Sequence, residues 1–425
     1  MRRFFWLGGV ALAMGCGGNT GARGYEPAPA AAGAGGSAAS SGSGGGGAGE
    51  SSALAGAGRG EPSLPGGASG NEAGAAGKSA IDDGPRPYRA LQITTGRYHA
   101  CALLEDHRVK CWGNNSYGEL GLGTTERRGL DSTKMGDALP FVDLGTGRSA
   151  KAVAAGRYTT CALLDDDSVK CWGMNLFDPR ADSRGLLGDE PGEMGDALPA
   201  LPLGAGRTAK ALAVGYRIAC IARDDESYYC GGASGGSSNT AAVPGTSLVA
   251  LTGGSAVLGL YRDGSAHELT GYATEVLASG VVAMTGGEQA ECLLLEDDQL
   301  KCSGIYGAPA GLPASLPGAT ALGISQRGIL CAIHQDGHVR CWGESWDQPW
   351  VTTPEPESAE SVVVPLSQPA VAITSGAYRF HCALLQDGSV ECWSWIDEPV
   401  DGVGWNATGS AQLRPVDLGT FHADH

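Results

Sequence analysis

Twelve of the thirteen cysteines fall into six pairs with one spacing: Cys101/Cys111, Cys161/Cys171, Cys220/Cys230, Cys292/Cys302, Cys331/Cys341 and Cys382/Cys392. The text around them repeats, from CALLEDHRVKCWG to CALLDDDSVKCWG to CALLQDGSVECW. Such self-similarity marks a repeat architecture, whose units bury their apolar faces only by stacking. A seventh copy has no cysteine: LGLYRDGSAHELT places Leu258 and Glu268 in the two cysteine positions. Every copy carries an aspartate five residues after the first position: Asp106, Asp166, Asp225, Asp263, Asp297, Asp336 and Asp387. A short β-like run ending in glycine precedes most copies, as in ALQITTG ending at Gly96 and AKAVAAG ending at Gly156.

Each copy is an apolar run, a polar centre and a second apolar run, the pattern of a β-hairpin. Gln386-Asp387-Gly388 suits a three-residue loop, a type I turn closed by a left-handed glycine. That loop sets the first cysteine opposite the second. Side chains alternate along a strand, so Cys101, Leu103, Val109 and Cys111 share one wholly apolar face. The cysteines fall on a non-hydrogen-bonded pair, where the chains approach most closely and a cross-strand disulfide is feasible.

Composition agrees with many short strands and tight turns. Glycine accounts for 70 of 425 residues, which argues against helix bundles, since glycine costs a helix about 1 kcal/mol at each interior position. The net charge of −17 leaves no basic stripe to release counterions from a phosphate backbone, so nucleic acid is not an expected partner.

Arg2 and Arg3 precede an apolar run, Phe4 to Met14, that is too short to span a bilayer. The run ends at Gly15-Cys16, which resembles a bacterial lipobox. Residues 1–15 are therefore expected to be a signal peptide, with Cys16 lipidated and the protein exported to the outer membrane or cell surface. Ordinary secretion, or release into the periplasm, is the alternative. Residues 16–84 are Gly/Ala/Ser-rich, too poor in apolar area to offset their ordering entropy, and are expected to be a disordered tether. Residues 85–425 hold the repeats.

Metal binding is the alternative for the paired cysteines, but no CxxC occurs and two opposed cysteines supply only two ligands. Free buried thiols are another. Two features favour six local disulfides: the export signal implies an oxidising compartment, and the copy lacking one cysteine lacks both.

Gly96, His99, Cys101, Leu103, Val109, Trp112, Gly113, Asn115, Gly118, Leu120 and Gly121 form a string that resembles the regulator-of-chromosome-condensation repeat. The resemblance implies an all-β fold, a seven-bladed β-propeller of four-stranded blades. Later copies decay: Trp112, Trp172, Trp342 and Trp393 keep the tryptophan position, whereas Gly231, Leu269 and Ser303 do not. Several members of the family act by binding other proteins. The nucleotide exchange performed by the eukaryotic founder is not expected here, because fold does not transmit function.

No catalytic constellation is legible, no cofactor is expected, and the chain is not expected to be an enzyme. His99 and His381 occupy or adjoin the family's histidine position and read as structural. The seven aspartates are explained by their hairpin turns. Asp189, Glu190, Glu193 and Asp196 crowd one insertion and are the candidates for a cation, with a solvated loop the alternative. Aromatics cluster after the Cys-Trp element: Tyr117, Phe177, Trp346, Trp350, Trp395 and Trp405. In a propeller these loops emerge on one rim, so these six are the candidate partner-binding residues, with packing inside their own loops the alternative. The functional expectation is a monomeric, envelope-anchored module that recognises an unidentified protein. The alternative is a glycan-binding or glycan-processing propeller with its site in the central channel. Ring closure is expected from the C-terminus, with Arg414–Leu418 beside Leu91–Thr94.

Overall fold

The computed structural model describes residues 85–129, 132–177, 185–232, 236–240, 243–269, 276–304, 311–326, 328–343, 361–376, 380–394 and 413–422. Cys16, Trp346, Trp350, Trp395 and Trp405 lie outside the described residues.

Seven antiparallel sheets follow one another along the chain as blades. Their innermost strands are Ala90–Thr95, Ala150–Ala155, Ala209–Val214, Leu248–Gly253, Val281–Gly286, Ala319–Ile324 and Ala370–Ser375. Each inner strand neighbours the next, and the seventh neighbours the first, so the ring closes. Among the described residues five sheets have four strands. Blades 1 and 5 have three, with single bridges, Gly113 to Arg128 and Gln299 to Ser315, outside the third strand.

The repeated hairpin is the second and third strand of each blade. In blade 1, His99–Leu104 pairs with Val109–Gly113 and sets Cys101 opposite Cys111. The same register sets Cys161 opposite Cys171, Cys220 opposite Cys230, Cys292 opposite Cys302, Cys331 opposite Cys341 and Cys382 opposite Cys392. Leu258 faces Glu268 in the blade without cysteines. All six facing pairs are disulfides, and each stays within its own hairpin: Cys101–Cys111, Cys161–Cys171, Cys220–Cys230, Cys292–Cys302, Cys331–Cys341 and Cys382–Cys392. Their Cα separations are 4.0–4.1 Å, the close spacing of a non-hydrogen-bonded pair. The bridges are not equally sheltered. Cys111, Cys171, Cys230, Cys341 and Cys392 are buried, whereas Cys302 is half-buried, with Ser303 beside it where other blades have tryptophan.

The turn aspartate carboxylate accepts the backbone N–H two residues on in every copy, for example Arg108 N to Asp106 at 3.1 Å and Ser389 N to Asp387 at 2.9 Å. The third loop position is left-handed throughout. It is glycine in blades 4, 6 and 7 but His107, Asp167, Glu226 and Asp298 in the others.

The core is not one cluster but seven, each lying between two blades. The cysteine face of one blade packs against the opposite face of the next. Cys101, Leu103, Val109 and Cys111 thus meet Val153, Ala162, Leu164 and Trp172 of blade 2. Each fully buried large side chain contributes about 1.5–3 kcal/mol through area removed from water.

The two ends meet differently from the expected closure. Arg414–Pro415 is the outer strand of blade 7, paired with Glu391 and Cys392. The join lies nearer the terminus, where Arg86 and Pro87 pair with Phe421 and Thr420. The reason is visible in a repeated clamp. Buried Lys170 donates to the Leu144 and Gly195 carbonyls at 3.0 and 2.8 Å, fastening the linker between blades 1 and 2. Lys110 donates likewise to Leu418 and Gly136 at 2.9 and 2.8 Å. The C-terminal Pro415-Val-Asp-Leu-Gly419 therefore plays the part of the interblade segment Phe141-Val-Asp-Leu-Gly145, one blade ahead of Lys110.

Candidate functional site

Antiparallel pairing gives the ring two faces. The hairpin loops and the linkers into each inner strand lie on one, called here the hairpin face. The turns between first and second strands lie on the other, around the mouth of the axial channel. The loops leaving the third strands return to that face as well.

Glycine makes the mouth. The residue after each inner strand is Gly96, Gly156, Gly215, Gly254, Gly287, Ser325 and Gly376 in blades 1 to 7. A Cβ on Gly96 would sit 2.2 Å from the Gly156 carbonyl oxygen, and one on Gly156 would sit 2.3 Å from that of Gly215. Only glycine lets neighbouring blades approach this closely. The next residue then donates its N–H across the junction: Arg97 to Gly156 O at 3.1 Å, Arg157 to Gly215 O at 3.3 Å and Tyr216 to Gly254 O at 2.7 Å. The bore is consequently narrow. Its two cavities measure about 40 and 50 Å³, room for a few waters.

The side chains after that glycine belt converge on the opening. Arg97 and Tyr98 come from blade 1, Arg157 and Tyr158 from blade 2, Tyr216 and exposed Arg217 from blade 3, and Glu288 from blade 5. The Arg157 guanidinium lies over Tyr158 and Tyr216, 4.8 and 4.3 Å from the ring centroids. Arg97 lies 5.0 Å over Tyr98 and reaches across the bore to Glu288, 3.7 Å away. Burial pushes the Glu288 carboxyl up to about 7, against the opposing pull of Arg97 and Arg157. Burial works against the Arg97 charge, but Glu288, Tyr98 and Tyr158 together more than offset it.

Of the residues that the aromatic pattern selects, Tyr117 joins this cluster, stacked on Tyr158 with centroids 4.2 Å apart. Phe177 does not belong to a binding surface. It is buried and stacks on Tyr229 of the following blade, 5.5 Å away. Blade 3 has Gly231 where other blades have tryptophan, and a Cβ there would meet the Phe177 ring at 2.4 Å. Phe177 thus fills the vacancy left by that tryptophan.

The acidic insertion is committed to its own backbone and to the preceding interblade linker. One Glu193 oxygen accepts the N–H groups of Gly188, Asp189 and Glu190 at 2.8, 3.1 and 3.0 Å. Asp196 accepts both the N–H and the hydroxyl of Thr146, at 2.9 and 2.6 Å. Among the described residues no group of three or more His, Cys, Asp or Glu side chains could hold a metal ion. The paired cysteines offer no thiolate either, because Cys111, Cys171, Cys230, Cys302, Cys341 and Cys392 are each spent on a bridge to the facing strand. His99 and His381 are fully buried, bonded to Thr160 and Ser375 hydroxyls at 2.8 and 2.7 Å, and burial lowers both to about 3.

Sequence reasoning misses Arg97, Arg157, Tyr98, Tyr158, Tyr216 and Glu288. A signal is present: GRYHA, GRYTT and GYRIA directly follow the inner strands of three successive copies.

Two family models of the regulator of chromosome condensation (RCC1) repeat match residues 91–119 with 150–177, and 106–163. The human "Probable E3 ubiquitin-protein ligase HERC4" is 34% identical over 89 residues, 20% of this chain and 8% of the relative. The Arabidopsis thaliana "Ultraviolet-B receptor UVR8" is 36% identical over 99 residues, 22% of this chain and 21% of the relative. The Saccharomyces cerevisiae "Guanine nucleotide exchange factor SRM1" is 33% identical over 90 residues, 21% and 17% of the two chains. The matches therefore span about a fifth or less of these relatives. Among solved structures the ectodomain of the Arabidopsis thaliana receptor kinase ACR4 is similar at 18% identity and a TM-score of 0.49, covering 74% of this chain and 99% of that one. The regulator of chromosome condensation repeat models match the first two blades, and the same hairpin register recurs in all seven blades of the β-propeller.

Proposed function

We propose that this chain is a protein-recognition module, held at the outer membrane or cell surface by a lipid on Cys16 and presenting the mouth face to its partner. The carrying observation is the mouth itself, where arginines and tyrosines from three blades gather around a nearly closed bore. Aromatic and arginine side chains dominate the energetics of protein interfaces. Six disulfides suit an oxidising compartment, and no helix among the described residues is long and apolar enough to cross a membrane. The ligase and exchange activities in the relatives' names are not carried over, because the matches cover the repeats alone.

The glycan alternative has less support. The axial cavities hold a few waters, and Glu288 is the one carboxylate lining them among the described residues, whereas glycoside hydrolysis ordinarily uses two.

A photo-crosslinking amino acid at Tyr117 on the mouth face and another at Asp166 on the hairpin face test the reading in intact cells. A protein adduct is expected from Tyr117 and not from Asp166. No adduct from either position, or equal adducts from both, would overturn it. Cys16→Ala is expected to release the propeller into the soluble fraction, and continued membrane retention would refute the anchor.

A further inference from the structure

The mouth carries a specific chemistry. The chain has a net charge of −17, and its hairpin face is lined with carboxylates: Glu105, Asp165, Asp166, Asp224 and Asp225 each meet an arginine from a linker there. At the mouth the balance reverses. Arg97 and Arg157 line the axial cavity there, and Glu288 is the one carboxylate lining it among the described residues. We propose that the mouth seats a carboxylate of an acidic peptide segment in the partner protein, gripped by Arg97 and Arg157, with Tyr158 and Tyr216 as its aromatic walls. This rests on the reading that the mouth face docks a protein, and it names the chemistry of the contact.

Three observations carry it. Arg157 donates no side-chain hydrogen bond among the described residues; its guanidinium lies over two ring faces and faces Glu288 only at a distance, so the rings orient its plane and leave its edge for a bidentate acceptor. Glu288 is 9% exposed, lines the pocket, and has no hydrogen-bond partner on either oxygen. A buried carboxylate without hydrogen bonds is costly, so it marks a place where a donor or a second polar group is to arrive. Finally, the glycine belt closes the bore, so only the tip of a side chain or a chain end can enter, not a polymer threading the channel.

Glu288 gives the seat a pH dependence. The charged groups facing it are Arg97 and Arg157; Tyr216 shares the pocket, and Gly253, Gly254, Ser375 and Gly376 supply lining from blades 4 and 7. Ionised, Glu288 competes for Arg97 and repels an incoming carboxylate. Protonated, it releases Arg97 and donates its O–H to the ligand. Its carboxyl sits at about 7, so affinity rises as pH falls from 8 to 6.

The probe is a fluorescein-labelled peptide, Gly-Glu-Asp-Glu-Glu-Gly, titrated into the full chain, with the amide peptide Gly-Gln-Asn-Gln-Gln-Gly as control. The acidic peptide is expected to bind about tenfold tighter at pH 6 than at pH 8, and the amide peptide not to bind. Arg157→Gln is expected to lose about tenfold or more in affinity, and Arg157→Lys, which keeps the charge but not the planar fork, part of that. Glu288→Gln is expected to bind the acidic peptide and lose the pH dependence. Melting curves check that each variant folds, and Arg157→Lys decides the matter if Arg157→Gln does not. Equal binding of both peptides, binding of neither, or a Glu288→Gln variant with the native pH profile would overturn the proposal. If Tyr117 still crosslinks a protein while the acidic peptide fails, the docking reading stands and this chemistry falls.

Discussion

The two faces of the ring use charge in opposite ways. On the hairpin face the same solution recurs in blades 1, 2 and 3. The linker arginines Arg86, Arg148 and Arg207 meet the loop carboxylates Glu105, Asp165 with Asp166, and Asp224 with Asp225, at 2.6–3.3 Å. The turn aspartates cap their own loops. At the mouth the equivalent position is arginine in blades 1 and 2, Arg97 and Arg157, but Tyr216, Ser255, Glu288 and Gln326 in blades 3 to 6. Repetition of a residue type marks a position that the fold needs; variation on a rigid frame marks one the fold leaves free for binding. The frame under the mouth is nonetheless the most exacting part of the molecule, because backbone there touches backbone.

That contrast breaks first at the glycine belt. Gly156→Ala would place a methyl 2.3 Å from the Gly215 oxygen and 2.6 Å from a Val214 methyl. Neither neighbour can move without parting the blades, so a loss of about 4 kcal/mol or more is expected in denaturant unfolding. Gly206→Ala, in a hairpin-face linker with φ of 71° and nothing within 4 Å, should cost only about 1 kcal/mol for the left-handed backbone. Equal losses would show that the belt is no tighter than a surface linker.

The lysine clamps sharpen the comparison at the next level. Lys110→Met and Lys170→Met each leave two buried carbonyls without their ammonium, an expected loss of about 2–3 kcal/mol. Only Lys110 holds the C-terminal segment, so only its loss should open the ring. Lys110→Met, like deletion of residues 412–425, is then expected to promote aggregation through unpaired strand edges, while Lys170→Met stays monomeric. Sedimentation distinguishes the two, and matched behaviour would place the closure elsewhere.

The fold is legible because its signal is local. Cysteine spacing and loop length together imply the register of Cys101 with Cys111, and the copies from Cys161 with Cys171 to Cys382 with Cys392 say the same thing. Their unequal burial is not legible: Cys302 has the same spacing as Cys341, yet its shelter depends on what neighbouring strands supply. The closure misleads because Pro415-Val-Asp-Leu-Gly419, matched by pattern to its sister segments, falls one strand out of place. Its partner Lys110 lies at the far end of the chain and cannot be paired by pattern. The mouth escapes notice for a different reason. Arg97 and Glu288 are distant in sequence, and nothing in either local context shows that the ring sets them 3.7 Å apart. Phe177 misleads because its burial follows from an absence in another blade, the missing side chain of Gly231.

The smallest effect concerns the hairpin loops themselves, where the repeat tolerates imperfection. Glu226 holds the left-handed third position of the blade 3 loop at φ of 65°, a place taken by Gly264, Gly337 and Gly388 in blades 4, 6 and 7. A side chain suffers a steric penalty there that glycine does not, while glycine loses more entropy on folding, so the two terms partly cancel. The Glu226 N–H to Arg223 carbonyl bond of 3.0 Å belongs to the backbone and survives substitution. Removing the carboxylate also relieves a loop that already carries Asp224 and Asp225. Glu226→Gly is therefore expected to stabilise the propeller by about 0.5–1 kcal/mol without touching the mouth. Thermal melting and binding of the acidic peptide check the two halves of that statement. A destabilised variant would mean that the glutamate side chain contributes packing in blade 3, and a weakened peptide would mean that the two faces are coupled through the blade rather than independent.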